Sequence, residues 1–121
     1  MLIAQVTDIH LGFQPDDPAE LNRKRLDEVL DALLALTPQP DLLLATGDLT
    51  EHGAIASYES LKAITDRLPF PVHFALGNHD DRGNFRRVFP QLPVTATGHL
   101  QYAFRHGPLR FVVLDTLDEG H

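Results

Sequence analysis

Cysteine is absent from the 121 residues. Without thiols the chain can form no disulfide, no thiolate metal site and no cysteine nucleophile, a composition compatible with a reducing compartment. Basic residues are scarce as well: 10 Lys and Arg stand against 17 Asp and Glu, a formal charge of −7, with no basic run. That balance disfavours electrostatic attraction to a nucleic-acid backbone, so no nucleic-acid polymer is expected as a partner. It leaves room for a small phosphate compound, because a bound metal ion reverses the local field. No apolar run approaches the roughly 20 residues that span a bilayer. Met1 to His10 is too short for a signal segment and lacks leading positive charges. The expectation is a cytoplasmic protein with no membrane partner.

What is present describes one modest domain. Apolar residues make up 43% of the chain, enough to bury a core. Leu2 to Val6 predicts a buried strand. Asp17 as cap, Pro18 in the first turn and Glu20 three residues after the cap predict a helix start. Leu26, Val29, Leu30, Leu33 and Leu34 then form one apolar stripe that ends before Pro38 and Pro40. Asp41 to Ala45 predicts a second buried strand, Ala54 to Leu68 a second helix with Tyr58, Leu61 and Thr65 on one face, and Val72 to Leu76 a third strand. Phe85, Val88 and Phe89 predict one or two helical turns before Pro90. Leu100, Tyr102 and Phe104 alternate with polar or small residues, His106-Gly107-Pro108 breaks the run, and Leu109 to Leu114 is strand-like again, which predicts a hairpin. This order implies an α/β domain with a mostly parallel sheet and an antiparallel addition. There is no internal repeat, low-complexity tract or linker.

The polar clusters occupy equivalent places. Asp8 and His10 follow the first strand, Asp48 the second, and Asn78, His79 and Asp80 the third. Sites in open α/β sheets form beyond the carboxyl ends of the strands, so three loops leaving one edge bring these side chains together. Asp8 and His10, two apart, point to the same side if the segment is extended. Gly47 and Gly77 permit sharp turns and a close approach to the site. Carboxylates, an imidazole and an amide oxygen, without sulfur, suit divalent manganese, iron, cobalt or zinc. Paired cations roughly 3.5–4 Å apart can clamp a phosphoryl group and generate hydroxide. Each motif alone is an ordinary turn, since Asp, Asn and Gly all favour turns. Their joint occurrence in this order, each after its own strand, points to a metal site.

Asp8-x-His10, Gly47-Asp48 and Gly77-Asn78-His79-Asp80 resemble the first three motifs of the calcineurin-like metallophosphoesterases. The surrounding Thr7-Asp8-Ile9-His10-Leu11-Gly12 and Thr46-Gly47-Asp48-Leu49-Thr50, with Leu114-Asp115-Thr116 further on, are most similar to the bacterial cyclic-nucleotide phosphodiesterase branch, which includes glycerophosphodiesterases. The resemblance covers essentially the whole chain. It implies a four-layer α/β/β/α sandwich of which these residues supply the N-terminal half, and a centre of two divalent ions. Asp8 and His10 would hold the first ion, Asp48 would bridge both, and Asn78 would bind the second. His79 would protonate the leaving oxygen or donate to the phosphoryl group, and Asp80 would orient His79 by a hydrogen bond. Hydroxide bound to the metals would attack phosphorus in line.

The family pattern continues with a later His and a Gly-His-x-His motif, and this sequence has neither. Residues 1–121 are therefore expected to form an incomplete metallophosphoesterase domain, a piece of a longer protein. Such a piece is expected to bind one metal weakly, to turn over little substrate, and to self-associate or pair with its missing half. Of the remaining histidines, His73 reads as a packed or edge strand residue, His99 and His106 as solvated turn residues and His121 as terminal; His52 is the best spare candidate but reads as a solvated loop residue, so none replaces the missing ligands. The function implied is metal-dependent hydrolysis of cyclic nucleotides or small phosphodiesters. The alternatives are a phosphomonoesterase or bis-nucleotide hydrolase on the same site, and a non-catalytic scaffold with this fold.

Overall fold

The computed structural model describes residues 1–13 and 20–118. In chain order these form β1 (Ile3–Thr7), α1 (Leu21–Leu34), β2 (Leu42–Thr46), α2 (Ile55–Thr65), β3 (Val72–Ala75), α3 (Arg82–Val88), β4 (Tyr102–His106) and β5 (Leu109–Val113). The first three strands make a parallel sheet in the order β1-β2-β3, and β4 and β5 make a separate antiparallel hairpin. Ile3 pairs with Leu42 and Leu43 with Val72, so the carboxyl ends of all three parallel strands emerge on one edge. The expected α/β class, with its mainly parallel sheet and terminal hairpin, is what forms. Among the described residues no helix is long and apolar enough to cross a membrane.

Burial follows position in the sheet. β2 has a neighbour on each side, and Leu42, Leu43 and Ala45 are buried. β1 is an edge strand, so the buried strand expected from Leu2 to Val6 is half-exposed instead. The same edge explains Val29. Leu26 and Leu30 of the α1 stripe are buried, whereas Val29 is 43% exposed and faces the open groove beside β1 that Gln5 and Thr7 also line.

The start of α1 differs from the expected cap. Asp17 and Pro18 lie outside the described residues, as does His121. Glu20 itself occupies the cap position and makes no side-chain cap bond. Its buried carboxylate accepts instead from the Gly12 and Phe13 N–H groups at 3.0 and 2.8 Å, which ties the loop after β1 to the helix. The second helix is shorter at its C-terminal end than expected, but it buries Tyr58, Leu61 and Thr65 on one face as its spacing requires.

Aromatic packing joins the layers. Phe85 of α3 meets Tyr58 of α2 edge-on at 5.4 Å and Phe89 at 4.6 Å, and Phe74 of β3 lies 4.9 Å from Phe89. Each such ring, fully buried, contributes about 1.5–3 kcal/mol by leaving water. The Tyr102 hydroxyl ties the hairpin to the sheet: Oη donates to the Phe74 carbonyl at 2.6 Å and accepts from the Phe74 N–H at 3.0 Å. One side chain thus satisfies backbone groups on the open edge of β3, as a neighbouring strand would. Burial pushes the Tyr102 hydroxyl pKa up to about 12. His73 stacks on Phe104 with ring centroids 3.6 Å apart, the packed role its place in a strand predicts, and burial and nearby His106 lower its pKa.

Candidate metal centre

The ladder between β1 and β2 does not stop at the strand ends. Asp8 N–H donates to the Gly47 carbonyl at 3.1 Å, His10 to Asp48 at 2.9 Å and Leu11 to Leu49 at 3.1 Å, and Glu51 N–H returns to Leu11 at 2.9 Å. The two loops that carry Asp8, His10 and Asp48 are therefore zipped together. The third loop joins through His79, whose backbone N–H donates to Asp48 Oδ1 at 2.9 Å.

The path of these loops is unusual. Asp8, His10 and Asp48 all have positive φ, at 57°, 52° and 48°. The Asp8 to His10 segment is thus not extended, contrary to expectation. The left-handed turns bury Ile9 beneath the loop and bring Asp8 and His10 to the same side. Left-handed backbone is sparsely populated by non-glycine residues and clusters at functional sites. Gly77 answers a different need: a Cβ there would overlap the Asp48 backbone nitrogen and Oδ1.

His10 Nε2 lies 3.8 Å from Asp8 Oδ1 and 3.8 Å from Asp48 Oδ2. These separations are too long for hydrogen bonds. They suit two donors on one cation, because ligands about 2.1 Å from an ion can be no more than about 4.2 Å apart. His10, Asp48 and His79 each offer one donor atom within 4.8 Å of the others. The Asn78 amide lies 3.1 and 3.3 Å from the Asp48 carboxylate oxygens, and donates to both when its nitrogen faces them. Turned over, its oxygen faces the carboxylate, an arrangement that a cation between them satisfies. The donor set fits a divalent metal. Four of the expected site residues, His10, Asp48, Asn78 and His79, converge, and Asp8 joins them from the exposed rim.

Asp80 departs from its expected role. Rather than holding the His79 ring, its buried carboxylate accepts from Leu49 N–H at 3.1 Å, Gly77 N–H at 2.9 Å, Thr50 N–H at 3.0 Å, Thr50 Oγ1 at 3.2 Å and Tyr58 Oη at 2.9 Å. It fastens the loops after β2 and β3 to α2. Burial and the adjacent Asp80 charge raise the Tyr58 pKa far above its ordinary value. The His79 ring is held by Glu51, whose carbonyl accepts from Nδ1 at 3.0 Å. That bond raises the His79 pKa, and the negative charges of Asp48, Glu51 and Asp80 raise it further.

Glu51 is the site residue that sequence reasoning missed. Its Oε2 sits 2.7 Å from His10 Nδ1, off the ring N–H axis, so Nδ1 has a charged neighbour without an aligned acceptor. The available signal was a carboxylate three residues after Asp48 on the same loop. His52 is exposed, as expected of a solvated loop residue, and His99 and His106 are half-buried rather than solvated.

Residues 1–119 match the family described as calcineurin-like phosphoesterase. Among curated relatives, a probable cyclic nucleotide phosphodiesterase of Rhodococcus erythropolis is 36% identical, covering 98% of this chain and 41% of its own length. A probable glycerophosphodiester phosphodiesterase of Arcobacter nitrofigilis is 28% identical over 99% of this chain and 45% of its own length. A 3',5'-cyclic adenosine monophosphate phosphodiesterase of Pseudomonas aeruginosa is 32% identical over 99% of this chain and 43% of its own length. The chain spans less than half the length of these relatives.

Proposed function

Because the chain belongs to the calcineurin-like phosphoesterase family, we propose that its three sheet-edge loops form part of a metal-dependent phosphodiesterase site for cyclic nucleotides or small phosphodiesters. The observation that carries this reading is the convergence of His10, Asp48 and His79 donor atoms within 4.8 Å, from three loops far apart in sequence. Asp8, His10, Asp48 and Asn78 would hold the metal, with Asp48 placed between the His10 and Asn78 sides of the site. Divalent ions supply Lewis acidity toward a phosphoryl oxygen and acidify water, and a pair of them is the form this reading adopts.

The chain's own residues supply the rest. With Nδ1 committed to the Glu51 carbonyl, His79 presents Nε2 to the site. Its raised pKa favours the protonated ring, which suits an acid that gives a proton to a leaving oxygen. The geometry also favours a second role for His79, as a metal ligand beside His10 and Asp48.

Titration of the 121-residue chain with manganese, followed by hydrolysis assays on bis(p-nitrophenyl) phosphate, the monoester and cyclic AMP with and without chelator, tests the proposal. Manganese binding that Asp48→Asn abolishes is expected. Binding that survives Asp48→Asn and His10→Ala would reject this site. His79→Ala is expected to slow hydrolysis and spare metal binding; loss of metal instead would make His79 a ligand.

A further inference from the structure

We propose that Glu51 is the positioning residue of the centre, gripping both imidazoles at Nδ1 and leaving Nε2 of each as the donor for the site. The inference deepens the metal reading above and rests on it. Its basis is one residue that meets two rings by different parts: the carboxylate reaches His10 Nδ1 at 2.7 Å, and the carbonyl reaches His79 Nδ1 at 3.0 Å. A carbonyl oxygen only accepts, so the neutral His79 ring carries its proton on Nδ1. His10 Nδ1 has no other partner among the described residues, and the negative carboxylate 2.7 Å away favours a hydrogen on that nitrogen, which a small rotation of the ring aims at Oε2. The two rings meet edge to face with centroids 5.0 Å apart, so their orientations are coupled.

Glu51 is itself held by the fold. Its N–H donates to the Leu11 carbonyl, Leu11 bridges to Thr50, and Thr50 is bound to Asp80 through backbone and hydroxyl. Downstream, the Gly53 N–H donates to Thr50 Oγ1 and the Gly53 carbonyl accepts from Asn84 of α3. The residue between these anchors has little freedom to move. A carboxylate at the far nitrogen of a metal-binding imidazole fixes the tautomer and raises its basicity, and removing such a partner lowers metal affinity about 10- to 100-fold.

The two grips can be separated, because replacing the side chain leaves the carbonyl. In E51M and E51A, long-range proton–nitrogen NMR of the metal-free chain at alkaline pH, where imidazole is neutral, should show His10 drifting to a mixture of tautomers while His79 keeps its Nδ1 proton. Zinc affinity by calorimetry should fall about 10- to 100-fold in both variants. E51Q, whose amide oxygen still accepts, should restore the His10 tautomer and part of the affinity. His10 keeping a pure Nδ1–H form in the folded E51M or E51A chain would overturn the proposal, as would unchanged zinc affinity. Reading two variants guards against loss of fold in one. If the wild-type chain binds no zinc or manganese, the metal reading fails, while the tautomer measurement still decides the role of Glu51.

Discussion

Tyr58 donates its hydroxyl hydrogen to Oδ1 of Asp80 at 2.9 Å, and the Tyr58 hydroxyl oxygen in turn accepts from the Asp81 N–H at 2.9 Å, so α2 and the loop after β3 are locked at one buried point. Asp80→Asn tests this clamp. An amide nitrogen would face two N–H groups in place of Oδ2, or one N–H and two hydroxyls in place of Oδ1, and these donors lose their acceptor at about 1–3 kcal/mol each. Thermal unfolding should show a loss of at least about 4–8 °C per kcal/mol, with metal binding lost in step. A normal melting temperature with reduced turnover would return Asp80 to a direct role in catalysis.

Gly77→Ala should damage the centre without touching a ligand. The new methyl group would collide with the Asp48 carboxylate and with its backbone nitrogen, and the backbone cannot swing aside as a side-chain end can. Overpacking of this kind costs about 1–3 kcal/mol. Manganese titration should show weakened binding alongside the lower stability. Wild-type affinity in Gly77→Ala would mean the two loops can separate freely.

Arg82 and Asp115 make the chain acid-sensitive. Burial alone would push the Asp115 carboxyl up, but hydrogen bonds from Arg82 at 2.7 and 2.9 Å and from the Leu100 and Leu117 N–H groups hold it below its ordinary value. Its folded pKa is thus lower than the unfolded value of about 3.9. The pair's contribution is fully present above that value and is lost as pH falls through the folded pKa. Arg82→Ala leaves a buried carboxylate unpaired, at a cost of about 3–5 kcal/mol near neutral pH. In urea titrations the gap between variant and wild type should narrow on acidification; a gap independent of pH would remove Asp115 from the explanation.

Tyr102→Phe isolates the docking of the hairpin. The ring remains, and the Phe74 N–H and carbonyl lose their shared partner. A loss of about 1–3 kcal/mol follows, and amide exchange at Phe74 should quicken more than in β2. Equal protection in both strands would show that the hairpin is held by ring packing alone.

The order of elements was legible because each strand is a short apolar run, bounded after the first strand by Gly or Pro, and that order alone places Asp8, Asp48 and Asn78 on one edge. Burial was less legible. Leu2 to Val6 reads like Asp41 to Ala45, and only the sheet order makes one an edge and the other the centre. Side-chain partners were least so. The spacing of Gly77 to Asp80 marks a loop of interest, but not that the His faces Glu51 while the Asp turns inward to Tyr58 and Thr50. Glu51 escaped for the same reason: a carboxylate in an acidic chain carries no period, and its meaning comes from a ring 41 positions earlier.

The positive φ angles at Asp8, His10 and Asp48 set stability and chemistry against each other. Glycine relaxes such a backbone at any of the three and removes a donor in doing so. A library selected for heat resistance would therefore drift toward glycine and asparagine at these positions, and its best survivors would be its emptiest sites. Engineering this domain calls for a screen on metal retention first and melting temperature second.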